Sequence, residues 1–419
     1  MAPAQDPAVC LRTLFDAAVS AAQPAFGPAE LAGLDPTAPA LVLGAGKAAA
    51  AMAQAFEAAW AGPVRGLVIT RRGYSLPTKH IEVLEGDHPA PSEDNVRATD
   101  RLIALARSRR VGEQAVFLVS GGGSALLCKP KEGLSLDEKR ATATALMDAG
   151  ADIREINTVR RQLSAVKGGG IAALLAPASV TTFAISDVVG DPPLDIASGP
   201  TVADHGTPRD ALLVLERYGV PVSATLESLL DRDLSAQASA APTGNRYKFL
   251  GTPMASLHAA AKAAEGMGLH PVILGDDLTG EAREVGAAHA ALALEYASAE
   301  RKAKRPLVLL SGGELTVTKT GTGKGGPNTE YLASLFHHLG GHEGISALAA
   351  DTDGIDGSED NAGAIITPTT WRKAKAFGLE ATSFLANNDC YSFFEALDAL
   401  LVTGPTYTNV NDFRAILVK

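Results

Sequence analysis

Cysteine is scarce. The three in 419 residues, Cys10, Cys128 and Cys390, are too scattered for a disulfide framework or a metal-ligand spacing. No apolar run reaches the roughly 18–20 residues of a membrane-spanning helix. The alanine-rich stretches are broken by charges at helical spacing, so no membrane association is expected. The first ten residues, MAPAQDPAVC, lack a basic start followed by a long apolar segment. No secretory signal is expected, and a reducing cytoplasm is the default compartment. Positive charge is also short: 37 Lys and Arg against 47 Asp and Glu leave a net charge of −10. That balance argues against general binding to nucleic acid while leaving room for a local basic pocket. Aromatics are sparse at 5%, whereas glycine is abundant at 42 residues, which points to tight turns where backbone approaches backbone or ligand.

The length exceeds what one hydrophobic core usually organises, so two domains are expected. With 46% hydrophobic and 20% charged residues the chain is globular rather than disordered. Short apolar runs recur, each followed by a glycine-rich turn and a helical pattern. Strands are expected at 40–43, 64–70, 81–85, 115–120 and 180–186, with helices from the alanine-rich stretch ending near Trp60 and at 94–108, 135–149, 153–163, 211–218 and 222–230. Residues 235–245, rich in Ala, Ser, Pro and Gly, mark the principal boundary and give domains 1–240 and 241–419. The second half restarts with strands at 247–251, 270–274, 307–311, 315–319, 345–350 and 412–418 and helices at 253–267, 280–303, 328–339, 367–377 and 391–400. This alternation implies an α/β fold of βαβ units, with a parallel sheet covered on both faces. Ligands of such sheets sit beyond the carboxyl ends of the strands. The turns after Leu43 and Ser120 lie at that edge, and SGG recurs at 311–313, which fits a cleft between two domains.

Several of these turns suit anions. In GAGK, Gly44 and Gly46 let the backbone turn sharply, helix N-terminal amides carry partial positive charge, and Lys47 adds a full one. The spacing is neither a P-loop nor a dinucleotide fingerprint, whose third glycine is replaced by Ala49. Gly121, Gly122 and Gly123, flanked by Ser120 and Ser124, can form a nest of amides, and the pattern is not a nucleophile elbow. Asn157, Arg160 and Arg161 span one helical turn, and Ser164 and Lys167 extend the Arg160 face toward a carboxylate or phosphate. Asp187 and Asp191 follow a buried strand and are candidates for Mg²⁺ ligation or proton acceptance. Asp351 opens DTDGIDG, whose twelfth position is Ala362 rather than the Glu of an EF-hand. His80, His88, His337 and His338 show no ligand spacing and read as surface or packing residues.

Together, VLGAGKAA, HPAPSEDN, LVSGGGSALL, INTVRRQLSAVKGGG, AISDVVGDPPLDIASGPT, LSGGELTV, GKGGPNTEY, AADTDGIDG and TGPTYTNVNDF resemble, in family order over about residues 10–415, the class II glycerate kinases with a C-terminal MOFRL domain. The resemblance implies ATP- and Mg²⁺-dependent phosphorylation of D-glycerate to 2-phosphoglycerate. It also implies a Rossmann-like N-terminal domain, a smaller α/β C-terminal domain and an active site in the cleft between them. Lys47 matches the family's catalytic lysine. In this scheme Ser120, Ser124, Asn157, Arg160 and Lys167 serve the substrate, and Asp187 or Asp351 accepts the hydroxyl proton. Asp187 and Asp191 serve the metal. Gly44, Gly46, Gly121, Gly122, Gly123, Ser198, Gly199, Gly313, Lys324 and Asn328 serve the nucleotide and phosphates. One departure stands out: Pro327 occupies the place where many members carry a catalytic or substrate-binding Arg, so that charge must come from Lys324, Arg160 or Arg161. Some relatives, associated with tartrate degradation, carry the name hydroxypyruvate reductase. The glycine turns lend that alternative no dinucleotide fingerprint. A homodimer is compatible with the sequence.

Overall fold

A computed structural model describes residues 6–234, 244–300 and 306–419. The boundary expected at 240/241 and the last residues of the helix expected at 280–303 lie outside them. The chain forms two compact units, Pro24–Leu250 and Met1–Gln23 with Gly251–Lys419.

The first unit carries β1 (Ala40–Ala45), β2 (Val64–Arg71), β3 (Ile81–Gly86), β4 (Gln114–Ser120), β5 (Val180–Ile185) and β6 (Arg246–Gly251) in the order β3-β2-β1-β4-β5-β6. The pairs among β1 to β5 are parallel. Strands β1 and β5 are buried at every residue, because helices cover both faces, and this is why their sequences read as continuous apolar runs. On one face Leu41, Leu43, Phe117 and Val119 pack with Ala98, Leu102 and Ala106 of helix Glu93–Arg107. Elsewhere Phe26 sets its ring edge-on to Phe56 and Phe183.

Strand β6 was expected to open the second half, but it completes the first sheet. Asn245 beside it accepts the Val180 amide at 2.9 Å, and Lys248 donates to the Glu30 and Ala32 carbonyls at 2.6 and 2.8 Å. These contacts carry the division between units past the alanine-rich linker to Leu250 and Gly251.

The second unit holds β7 (His270–Leu278), β8 (Leu307–Gly313), β9 (Ile345–Asp351), β10 (Gly363–Ile366), β11 (Leu400–Leu401) and β12 (Asp412–Val418), ordered β11-β10-β9-β12-β8-β7. This sheet is mixed rather than parallel. β12 inserts between β8 and β9 antiparallel to both, and among the described residues of these strands only β7 and β8 pair in parallel. Strands β10 and β11 were not expected. The strand expected at 315–319 reduces to a single bridge from Thr316 to Glu281.

Helix Pro7–Ala21 was also unforeseen, and it belongs to this second unit. Asp6 caps it, Pro7 occupies its first turn, and Leu11, Leu14, Phe15 and Ala18 make one apolar stripe. That stripe packs with Leu257 and Ala260 against Val308, Leu310 and Phe413 of the sheet. The opposite sheet face, Leu307, Leu309 and Ile416, is covered by Tyr331, Leu332 and Leu335. Alternate residues of β8 thus point to opposite faces, as strand geometry requires.

Candidate active site

In a sheet ordered 3-2-1-4-5-6 the chain reverses direction of progress between β1 and β4, and the crevice beyond their carboxyl ends is the usual ligand site. Both glycine turns of the first unit emerge there. They are bonded to each other: the Lys47 amide donates to the Gly121 carbonyl at 2.8 Å, and Ser120 Oγ accepts the Ala48 amide at 3.0 Å. Gly44 is needed for strand packing, since a β-carbon there would stand 2.4 Å from the Leu118 carbonyl oxygen. Gly46 (φ 145°) is needed for the turn, since a β-carbon would stand 2.1 Å from Ser120 Oγ. Ser120, expected at the substrate, is fully buried and spends its hydroxyl on this junction.

Beyond the junction, helix Ala49–Ala59 starts at Ala48 with no side-chain cap. The Lys47 side chain lies over Gly122: its Cγ and the His88 ring come within 3.1–3.2 Å of where a side chain at 122 would begin. Ser124 Oγ is 2.7 Å from Ser198 Oγ. Ala197, Ser198 and Gly199 are all left-handed, with φ of 51°, 61° and 63°. Such strain in consecutive residues, of order 1–3 kcal/mol each for those other than glycine, is typical of ligand sites. The Gly168 and Gly169 amides hold the run by donating to the Ser198 and Gly199 carbonyls at 3.0 and 2.7 Å.

A cavity of about 480 Å³ adjoins Gly122 and Ser124, with Lys139, Arg140, Arg160 and Lys167 in its wall. His88, half-buried, also lines it. Lys167 does not arrive by the helical face expected of it. Helix Ile153–Gln162 ends before it, and Lys167 opens a following turn in which its carbonyl accepts the Gly170 amide at 3.0 Å. Its Nζ donates to the Ser124 carbonyl at 2.7 Å. Burial, with Lys139 and Arg160 nearby, holds this ammonium well below its ordinary pKa.

Arg160 and Arg161 separate cleanly. Arg160 faces the cavity, whereas Arg161 is buried against Asp204 at 3.0 Å and Asp195 at 3.5 Å. Arg161 is therefore not available to supply the charge missing at Pro327. Asp204→Ala would leave that guanidinium buried with only Asp195. We expect a loss of about 3 kcal/mol in urea unfolding, the low end of the range for broken buried pairs because one partner remains. Asn157 is buried on the same helix. Asp187 and Asp191 lie in the loop after β5, Asp191 with a left-handed φ of 53°; the phenol of half-buried Tyr247 has its pKa raised first by desolvation and then by the charge of Asp191.

Gly313, Lys324, Asn328 and Asp351 lie in the second unit. Lys324 is largely exposed, 3.7 Å from Glu359. Asn328, expected to meet phosphate, is instead fully buried, and its Nδ2 donates to Asp412 at 2.6 Å. Asp356 accepts the Asn328 and Thr329 amides at 2.9 Å each, which ties the first turn of helix Pro327–Leu339 to the loop after β9. Arg414 pairs with Asp412 and donates to the Gly312 carbonyl at 2.8 Å. Asp351 faces Asp412 across the ladder and accepts the Asp353 amide at 2.8 Å.

Burial pushes the Asp356 carboxyl up from 3.8 to about 6, against the two amides that favour its charge. The folded state therefore holds a proton that the unfolded chain has released. That stabilising contribution is complete below about pH 4 and is lost as pH rises to about 6, roughly 3 kcal/mol in all. Across the same window burial holds the His289 imidazole down at about 4, which contributes stability that rises with pH, so the difference between proteins is the readout: Asp356→Asn should make the urea midpoint rise more steeply with pH than it does in the wild type, whatever its absolute stability.

Two families span most of the chain. Residues 10–231 match a domain of unknown function, DUF4147, and residues 307–412 match the MOFRL family. A D-glycerate 2-kinase of Thermotoga maritima is 38% identical over 89% of this chain and 89% of its own. The chain belongs to the glycerate kinase family. The crystal structure of a glycerate kinase from the same organism superposes with a TM-score of 0.87 at 36% identity, covering 98% of both chains. A relative from Agrobacterium vitis, provisionally named a hydroxypyruvate reductase, is 44% identical over 97% of this chain and 94% of its own. The glycerate kinase fold is thus shared along nearly the full length. No helix among the described residues is long and apolar enough to cross a membrane.

Proposed function

We propose that this protein transfers the γ-phosphoryl group of ATP to the 2-hydroxyl of D-glycerate, giving 2-phospho-D-glycerate and ADP. The observation that carries the reading is the cation-lined cavity beside two interlocked glycine turns at the switch point of the sheet. The full-length kinship with glycerate kinases supports it. The glycerate hydroxyl oxygen attacks the γ-phosphorus, the bond from that phosphorus to the bridging oxygen of ADP breaks, and Asp187 takes the hydroxyl proton. Backbone of residues 44–47 and 121–124 cradles the phosphates, with Ser198 and Gly199 beside them. Lys47 meets the charge of the transferred group, and Arg160 and Lys167 hold the carboxylate. Catalysis in such a site is positioning and electrostatic stabilisation.

Magnesium, where bound, would neutralise phosphate charge. Among the described residues no three carboxylate, thiol or imidazole groups converge into a closed cage. The donor set at Asp187 and Asp191 fits the pattern of one or two carboxylates completed by phosphate oxygens and water.

The test is the purified protein with D-glycerate, ATP and Mg²⁺. ADP release matched by phosphoglycerate supports the reading. Oxidation of NAD(P)H with hydroxypyruvate at 340 nm, without ADP release from glycerate, overturns it in favour of a reductase.

A further inference from the structure

The cavity contains a charge that the reading above leaves unused. Lys139 lies on helix Leu136–Asp148, whose Leu136, Lys139, Arg140, Ala143 and Met147 present one face to the cavity. The residue is 7% exposed, and its Nζ is buried with no hydrogen-bond partner. An ammonium taken out of water without a partner costs several kcal/mol. The protein spends that cost beside further cations rather than away from them. Arg160 and Lys167 lie close enough that each of the two lysines is influenced by its cationic neighbours. None of the described lining residues is acidic, although the chain carries ten more acidic than basic side chains. Arg161, one residue from the cavity wall, shows what this protein does with a cation that serves structure alone: it surrounds it with Asp204 and Asp195.

We propose that Lys139, with Arg160 and Lys167, forms a preorganised oxyanion subsite whose missing counter-charge is the carboxylate of the phosphoryl acceptor. Lys139 is its specificity-determining residue, selecting acids over neutral polyols. The proposal rests on the kinase reading for the identity of that acceptor, but not for the existence of the subsite. An anion entering the cavity supplies the hydrogen-bond acceptor that Nζ lacks. A neutral polyol of the same length leaves the buried charge uncompensated, and rejection on such grounds is steep.

The test uses the full chain and two readouts, thermal unfolding with single ligands and steady-state kinetics. In the wild type, D-glycerate alone should raise the melting temperature and glycerol should not. Lys139→Met should raise the melting temperature of the unliganded protein, because an unpaired buried charge is removed. It should also abolish the shift given by glycerate and raise KM for glycerate at least about 30-fold, the scale expected for losing one partner of a buried charge pair. KM for ATP should stay near the wild-type value, and Lys139→Arg should recover part of the loss. Arg160→Gln, at a less buried position, provides the same readout should the methionine variant fold poorly.

A lower melting temperature in Lys139→Met with glycerate binding intact would make the lysine a packing residue and overturn the proposal. So would loss of the shift given by metal-free ATP while the glycerate shift survives, which would assign the cluster to nucleotide phosphates. Inorganic phosphate serves as the third probe. If it protects the wild type while glycerate does not, the carboxylate assignment fails. If the wild type makes no phosphoglycerate yet glycerate still protects it through Lys139, the subsite stands and the kinase reading falls.

Discussion

Replacing Lys47 by alanine should lower kcat for glycerate phosphorylation by about 10²–10³-fold, the scale found when one preorganised charge-stabilising donor is removed. The unfolding midpoint should barely move. The reason is a division of labour within one residue. The Lys47 amide is structural: it donates to the Gly121 carbonyl, and its own carbonyl accepts the Thr70 hydroxyl at 3.2 Å. Alanine keeps both backbone contacts. Only the side chain, lying over Gly122 beside His88, is lost. Steady-state kinetics with a parallel urea titration separate the two. Wild-type turnover in the variant would remove Lys47 from the chemistry, and a large loss of stability would make the lysine a structural element.

The second large effect belongs to Gly46→Ala. Here backbone conformation and space act together. The new β-carbon would need a φ of 145° and would stand 2.1 Å from Ser120 Oγ and 2.6 Å from its carbonyl oxygen. Neither neighbour can retreat, because Ser120 is buried at the end of β4 and bonded to Ala48. Strain and overpacking together should cost roughly 2–6 kcal/mol. The turn would also separate from Gly121, so activity should fall even in molecules that remain folded. Circular dichroism during urea unfolding reads the first effect, and turnover at saturating substrate reads the second. A variant with wild-type stability would contradict the interlocking of the two turns.

Much of the first sheet was legible because its signal is local. Buried strands such as β1 and β5 read as apolar runs closed by glycine or serine, and helix Glu93–Arg107 announces itself through Ser92 and its acidic first turn. What was not legible depends on distant partners. Strand β12 was found at residues 412–418, but nothing local says that it inserts antiparallel between β8 and β9. The assignment of β6 to the first sheet depends on Asn245 and Lys248 meeting residues that are far away in sequence. Helix Pro7–Ala21 was missed despite its Asp-Pro start and its stripe of Leu11, Leu14 and Phe15, a pattern that a closer reading of spacing would find.

The site divides in the same way. Gly46, Lys47 and Gly122 were visible as turns, and Arg160 and Lys167 as a basic stretch. Lys139 was not visible, because it sits in a helix with an ordinary charged pattern, and only burial without a partner singles it out. His88 needed the fold to place it at Gly122. Asn328 reads like a phosphate-loop residue by sequence, yet it is enclosed by Asp356 and Asp412.

The defining step of the proposed reaction is transfer of a phosphoryl group to the oxygen on the second carbon of an acid. Phosphorus-31 NMR of the protein with D-glycerate, ATP and Mg²⁺ reads that bond directly. A 2-phosphoglycerate resonance should grow, matched by loss of the ATP γ signal and greatly slowed in Lys47→Ala. A 3-phosphoglycerate resonance would contradict the regiochemistry. An unchanged ATP spectrum, at protein concentrations where glycerate demonstrably binds, would contradict the kinase reading itself.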